Sequence, residues 1–267
     1  MNAIRKVGML GLGKMGAPMA KHLLARGFEV CGFDPAAKAP AGVRALPSAL
    51  EVARASELVI VVVGFDHEVE SVCGAIAGGA APGLIVAIGS TLAPRTAKRL
   101  DSMLSSKGIT LVDAPLARGE AAAVAGKLLV FGGGDEQAFE RCKPAFSAFA
   151  SDIFHLGPAG AGQVAKMVNN LILWACTSAN DEGLRLAEAL GVDAERLRAA
   201  LHHSSAQNWS MDQRAENSGM PWAEKDMSIV LREADLARLS LPLAGSLKET
   251  IKGLKIRMGL GLPPGSE

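Results

Sequence analysis

The 267-residue sequence contains no tyrosine and few other aromatic residues, eight phenylalanines and three tryptophans. Any proton transfer therefore falls to Lys, His, Asp, Glu or Cys, and a Tyr–Lys proton-transfer pair is excluded. Neither sign of charge is in excess. There are 28 basic against 27 acidic residues and no basic run, which argues against nucleic-acid binding through phosphate neutralisation. Cys31, Cys73, Cys142 and Cys176 are scattered, with no Cys-x-x-Cys pair. They read as buried free thiols of a reducing cytoplasm, with no disulfide framework and no metal site. The longest uninterrupted apolar run, Leu58–Val63, is far too short to span a bilayer. The Arg5-Lys6 pair runs directly into Gly-rich sequence, which is no signal peptide.

What is present is a repeated alternation of short β-branched runs and helical segments up to about Gly157. The spacing predicts strands at Lys6–Leu10, Phe28–Phe33, Leu58–Val63, Leu84–Ile88, Ile109–Val112, Leu128–Phe131 and Ile153–Leu156. Many are continuous hydrophobic runs, as expected for a parallel sheet covered on both faces. The pattern predicts a doubly wound α/β domain over residues 1–158. After Gly157-Pro158 only helical periodicity remains, over about Gln163–Leu190, Asp193–His202, Lys225–Leu239 and Leu243–Met258. Residues 159–267 are therefore expected to form an all-α domain, ending in a frayed tail over Leu262–Glu267.

The predicted first strand is followed by Gly11-Leu12-Gly13-Lys14-Met15-Gly16 and a helical segment. In this G-x-G-x-x-G arrangement the first glycine permits the tight turn, and the second lets the backbone approach a pyrophosphate. The third allows close helix–strand packing. Phosphates would sit on the helix N-terminus, where unpaired N–H groups and the dipole favour anions. Asp34 closes the next strand, 18 residues after Gly16, where a carboxylate can accept from a ribose 2′-hydroxyl and would repel a 2′-phosphate. NAD is therefore expected ahead of NADP, with Lys38 and Arg44 keeping NADP possible.

Gly160-Ala161-Gly162-Gln163-Val164-Ala165-Lys166-Met167-Val168-Asn169-Asn170 opens the long predicted helix. Lys166 and Asn170 are i and i+4 and share one helix face. Gln163, Thr177 and Asp181 fall on the same stripe, opposite Val164, Met167, Val168, Leu171 and Ala175. A polar stripe on so apolar a helix is expected to face solvent, a partner or a site.

These segments together resemble the β-hydroxyacid dehydrogenases over nearly the whole chain. Gly11–Gly16 is similar to the family's cofactor motif, and Ser90-Thr91 with Pro94 to its strand-end segment. Asp113-Ala114-Pro115 resembles the opening of its substrate motif, the Gly160–Asn170 stretch its catalytic motif, and Lys225-Asp226 a late Lys-Asp pair near the nicotinamide. The resemblance implies a Rossmann domain followed by a helical one, with Lys166 as general acid/base and Asn170 as substrate anchor. It places Gly11, Leu12, Gly13, Lys14, Met15, Gly16, Asp34, Val63, Thr91 and Lys225 around the cofactor, and Ala117, Arg118, Gly119 and Asn170 around the substrate. It also implies a homodimer or homotetramer. The expected substrate is a small anionic 3-hydroxy acid or its semialdehyde, bound where the two domains meet.

Two departures bear on that reading. The usual Asp-Ala-Pro-Val-Ser-Gly-Gly runs here as Asp113-Ala-Pro-Leu-Ala117-Arg118-Gly119. The serine is gone, and an arginine whose fork suits a carboxylate or sulfonate stands at a glycine position, as in the sulfolactaldehyde reductase branch. The chain also ends early relative to the family, and Asn208–Glu224 is compressed. A reductase working in the opposite direction and a dinucleotide-binding scaffold without activity are the competing readings. The residue seven after the lysine is Leu173, where the decarboxylating 6-phosphogluconate dehydrogenases carry glutamate, so decarboxylation is disfavoured. His202 and His203 read as the C-terminal cap of a helix, Cys176 as core, and Trp209 and Trp222 as pocket walls or core.

Overall fold

The computed structural model describes residues 3–212 and 220–260. The chain forms two compact units, Met1–Lys166 and Met167–Glu267.

The first unit is built on a nine-stranded sheet. Its strands are β1 (Lys6–Leu10), β2 (Glu29–Phe33), β3 (Arg44–Ala45), β4 (Leu58–Val61), β5 (Ile85–Ile88), β6 (Thr110–Asp113), β7 (Leu116–Ala117), β8 (Leu128–Gly134) and β9 (Ala150–His155). Parallel pairing runs in the order β3-β2-β1-β4-β5-β6, after which β8 pairs antiparallel with β6 and with β7, and parallel with β9. The order reverses beside β1, the switch point at which ligands bind in open α/β sheets. The two-residue strands β3 and β7 carry no periodicity and escaped the sequence pattern; the other seven lie where the hydrophobic runs predict them.

The parallel strands β2, β1, β4, β5 and β6 are covered on both faces, unlike the exposed edge strand β3; α1 (Gly16–Ala25), α5 (Gly119–Ala125) and α6 (Glu136–Phe146) cover one side. The helices α2 (Ala49–Arg54), α3 (Asp66–Ala77) and α4 (Pro94–Ser105) cover the other. Alternate side chains divide accordingly. Val7, Met9, Leu58, Ile60, Ile85 and Ala87 join the first core, and Leu10, Val59, Val61, Val86 and Ile88 the second. Each such Val, Leu, Ile or Met side chain contributes about 1.5–3 kcal/mol on leaving water. Cys31, Cys73 and Cys142 are buried here, and burial pushes the Cys73 and Cys142 thiols up to about 12, far from reactive thiolates.

Register decides where function can sit. Phe33, Leu10, Val61, Ile88 and Asp113 are consecutive partners across β2, β1, β4, β5 and β6. They form one row along the carboxyl edge of the parallel strands. Asp34, Gly11, Val62–Val63 and Gly89–Ser90 come directly after these strands, so all leave the sheet at the same edge.

The second unit contains most of α7 (Ala161–Ala189), then α8 (Ala194–Leu201), a 3₁₀ turn (Trp209–Met211), α9 (Ala223–Leu236) and α10 (Pro242–Arg257). Asp193 caps α8 by accepting from Arg196 N at 2.8 Å. The core joins Met220, Ala223, Met227 and Val230 to Ala244, Leu247, Ile251 and Leu254, with Leu171 and Trp174 of α7 packed on it. A fully buried Lys255 pairs with Glu224 at 3.0 Å, and Arg257 with Asp181.

Cys176 is half-buried, not core. Trp209 and Trp222 are 47% and 45% exposed, so neither is core packing. The polar stripe of α7 does not share one environment: Gln163 is fully buried, Thr177 bonds back to Leu173 O at 2.9 Å, and Asp181 is taken by Arg257 and Arg185. His202 occupies the C-cap of α8, with Asp212 3.5 Å from its Nε2. The tail 262–267 and part of the compressed segment lie outside the described residues.

Candidate active site

The turn after β1 shows what each glycine is for. Gly11 has φ +94°, and a Cβ there would stand 2.0 Å from Val62 O. A Cβ on Gly16 would meet Gly11 O at 2.0 Å, whereas one on Gly13 would meet nothing within 4 Å. Two glycines are thus required by the fold. The third keeps space open in front of the α1 N-terminus, where the first N–H groups lack intrahelical partners. That arrangement fits a dinucleotide pyrophosphate. Of the other turn residues, Leu12 is buried, Met15 packs partly on the core, and the exposed Lys14 lies 3.6 Å from Glu120 at the start of α5.

Asp34, directly after β2, is held by three main-chain donors. Its Oδ2 accepts from Leu12 N at 2.7 Å, and its Oδ1 from Ala36 N and Ala37 N at 2.8 Å. Burial alone would push this carboxyl up, but the three N–H donors outweigh it and hold it below the ordinary carboxylate range. The side chain stays anionic, with a lone pair of Oδ2 left for a hydroxyl donor.

The next strand ends are joined by side chains. Ser90 Oγ accepts from Val63 N at 2.8 Å and donates to Val63 O at 2.9 Å. Gln163 Oε1 accepts from Leu92 N, and Gln163 Nε2 donates to Ser90 O, both at 2.9 Å. Thr91 lies half-buried between these bonded residues. At the end of β6, fully buried Asp113 accepts from Gly160 N and Gln163 N at 2.9 Å each. Burial pushes the Asp113 carboxyl up, opposed by these backbone donors. The roles of Asp113 and Gln163 were not read from the sequence. An acidic residue and an amide inside otherwise apolar or glycine-rich runs were the available signal.

Ala117 is buried at the end of β7, and Arg118 and Gly119 lead into α5 with φ +82° and +73°. Arg118 is expected from the sequence to fork onto the acid of a substrate. Its Nη1 meets Asp152 at 2.6 Å, Ser151 Oγ at 2.8 Å and Lys127 O at 3.2 Å. This bond to Arg118 holds the Asp152 carboxyl below its ordinary range. The Cβ direction of Gly119 is open.

Lys166 comes one turn after Gln163 on α7, and Asn170 one turn later still. Asn170 is almost fully buried, its Oδ1 accepting from Asn169 Nδ2 at 3.0 Å. In the second unit Lys225 lies in the first turn of α9 with its Nζ 5.5 Å from the Trp222 ring centroid. Asp226 beside it accepts from Trp174 Nε1 at 3.2 Å. Among the described residues no group of three or more His, Cys, Asp or Glu is placed to hold a metal ion.

Known proteins resemble this chain along both units. Residues 6–157 match the NAD-binding domain of 6-phosphogluconate dehydrogenase, and residues 160–261 the NAD-binding domain of NADP-dependent 3-hydroxyisobutyrate dehydrogenase. The NAD-dependent L-serine dehydrogenase of Pseudomonas aeruginosa is 35% identical over 78% of this chain and 73% of its own. The 3-hydroxyisobutyrate dehydrogenase of the same organism is 34% identical over 93% of this chain and 91% of its own. The structure of Mycobacterium tuberculosis 3-hydroxyisobutyrate dehydrogenase with L-serine superposes with a TM-score of 0.85 at 28% identity, covering 98% of this chain and 97% of that one. A cradle for a dinucleotide, a strand-end row feeding a lysine-bearing helix, and these matches over both units lead to one conclusion: the chain belongs to the β-hydroxyacid dehydrogenases, NAD(P)-dependent oxidoreductases acting on CH–OH groups.

Proposed function

We propose that the chain interconverts a small anionic 3-hydroxy acid and its semialdehyde, with Lys166 as the general acid/base. The observation that carries this reading is the attachment of the Lys166 helix to the same strand-end row that bears Gly11, Asp34 and Val63. NAD, when bound, supplies the hydride acceptor. Lys166 as the free amine takes the hydroxyl proton as the C–H bond breaks, and as the ammonium returns it in reduction. Asn170 offers an amide to the substrate without adding charge. Lys225 is assigned to the nicotinamide end of the cofactor through the family motif.

The substrate acid is assigned to the turn 117–119. Because the Arg118 guanidinium is held by Asp152, the turn offers the backbone N–H groups of Arg118 and Gly119. Short hydroxy acids also fit the names of relatives, which act on L-serine, 3-hydroxyisobutyrate and 2-(hydroxymethyl)glutarate. Asp34 supports NAD over NADP. No described helix is long and apolar enough to cross a membrane, and cytoplasmic residence is assigned from the free thiols. Val164, Val168 and Ile172, spaced at i, i+4 and i+8 on α7, are 44%, 45% and 58% exposed. Such a stripe supports a homodimer or homotetramer.

The test is a kinetic screen of short 3-hydroxy acids and their semialdehydes with both cofactors. Turnover of at least one anionic pair, with NAD preferred, is expected. NAD binding without turnover of any pair would point to a scaffold.

A further inference from the structure

The start of α7 is fixed more tightly than a helix start requires. Its first N–H groups have no intrahelical acceptors, yet Gly160 N and Gln163 N both reach the fully buried Asp113 carboxylate at 2.9 Å. The helix is pressed onto the sheet there. A Cβ on Gly162 would lie 2.5 Å from Phe131 O and 2.8 Å from Asp113 Oδ2, and one on Gly133 would lie 2.6 Å from Asp113 Oδ1. Gln163 adds a second anchor of different chemistry, one acceptor and one donor. It takes Leu92 N and gives to Ser90 O, while Ser90 Oγ grips both main-chain polar atoms of Val63. Both partners of the amide are main-chain groups of fixed polarity, so only one orientation of the amide satisfies them.

We propose that Gln163 and Asp113 are positioning residues that set Lys166 for proton transfer, with Gln163 coupling it to the Val63–Ser90 segment of the cofactor edge. This rests on Lys166 being the acid/base. Gln163 precedes Lys166 by three residues, so a shift of the first turn moves the lysine with it. A displacement near 1 Å of a reacting group costs about 10²-fold in rate. A buried glutamine serving the fold alone would affect stability and leave the chemical step intact.

Two variants of the full chain separate these cases. Gln163→Met keeps the volume and removes both bonds. It is expected to lower kcat by about 10²-fold, with NAD affinity within about three-fold and faster amide exchange at residues 163–167 in the protein without NAD. Gln163→Glu is isosteric. As a neutral acid it can give to Ser90 O and accept from Leu92 N; as a carboxylate it cannot give. Its kcat relative to wild type should therefore rise as pH falls through the introduced acid's pKa, a trend Gln163→Met lacks. If Gln163→Met does not fold, this pH trend decides.

A Gln163→Met protein with lowered Tm but kcat within about three-fold of wild type would overturn the proposal, as would a Gln163→Glu kcat that stays well below wild type at every pH. Lys166→Ala is measured alongside. If it keeps turnover, the acid/base reading itself fails. If it loses turnover while Gln163→Met does not, only the positioning role falls.

Discussion

Two tight turns lead from the sheet into a helix, and both need a left-handed backbone. The turn after β1 meets the need with glycine: Gly11 at φ +94°, its Cβ direction blocked by Val62 O. The turn after β7 places Arg118 at φ +82°, a conformation costing an L-residue about 1–2 kcal/mol. It is held there by bonds to Lys127 O, Ser151 and Asp152, the last 34 residues away. In the first turn main-chain crowding by Val62 O leaves room for glycine alone. In the second, bonds from a long side chain hold a non-glycine residue in place, and only the left-handed backbone is shared. An arginine at a glycine position therefore need not mean a new contact to substrate.

The sharpest way to break this comparison is at the first turn. Gly11→Ala should abolish NAD binding and lower Tm substantially, because both the dihedral and Val62 O oppose the methyl group. Gly13→Ala meets no protein atom within 4 Å, so it should fold with a wild-type Tm and still lose at least about ten-fold in NAD affinity, some 1.4 kcal/mol. Calorimetric titration beside a thermal melt checks both. Normal NAD binding by Gly13→Ala would show that the open space does not belong to the pyrophosphate.

Asp34 tests the neighbouring strand end, whose carboxylate is tied back to the first turn through Leu12 N. Asp34→Ala should shrink the NAD over NADP preference in kcat/KM by at least about ten-fold. The residue also carries a pH signature. Its folded pKa lies below the ordinary 3.8, so its contribution to stability is present above that value and lost as pH falls through the lowered one. Asp34→Asn should thus be less stable than wild type at neutral pH, with the gap closing as pH falls below the ordinary 3.8 and through the lowered value. A gap that is constant across acid melts would contradict the three N–H bonds.

The smallest effect belongs to the second turn. Arg118→Gly relieves the left-handed strain while losing the tether to Asp152; Arg118→Ala loses the tether and keeps the strain. The alanine variant should be less stable than the glycine variant by about 1 kcal/mol, a few degrees in Tm. The glycine variant should keep kcat/KM for the anionic substrate within a few-fold. A loss of about 10- to 150-fold in both variants, the worth of a charge-assisted bond, would return the guanidinium to the substrate.

The comparison also explains what the sequence could convey. Continuous runs such as Leu58–Val61 and the spacing of Gly11, Gly13, Gly16 and Asp34 declare themselves locally, because burial on two faces and a tight turn each restrict residue type. The two-residue strands Arg44–Ala45 and Leu116–Ala117 have no period to read. Gln163 looks like part of a solvated polar stripe because helix geometry alone cannot tell which neighbours fill a face. Only pairing with Ser90 and Leu92, more than 70 residues earlier, shows it to be interior. The partner of Arg118 is hidden for the same reason.

The most direct test of the account is kcat of Lys166→Ala against wild type on the best anionic 3-hydroxy acid, with NAD affinity measured on the same samples. A loss of about 10²–10⁴-fold in kcat is expected, with NAD affinity essentially unchanged. Retention of more than about a tenth of wild-type kcat would contradict it, because proton transfer would then not pass through Lys166.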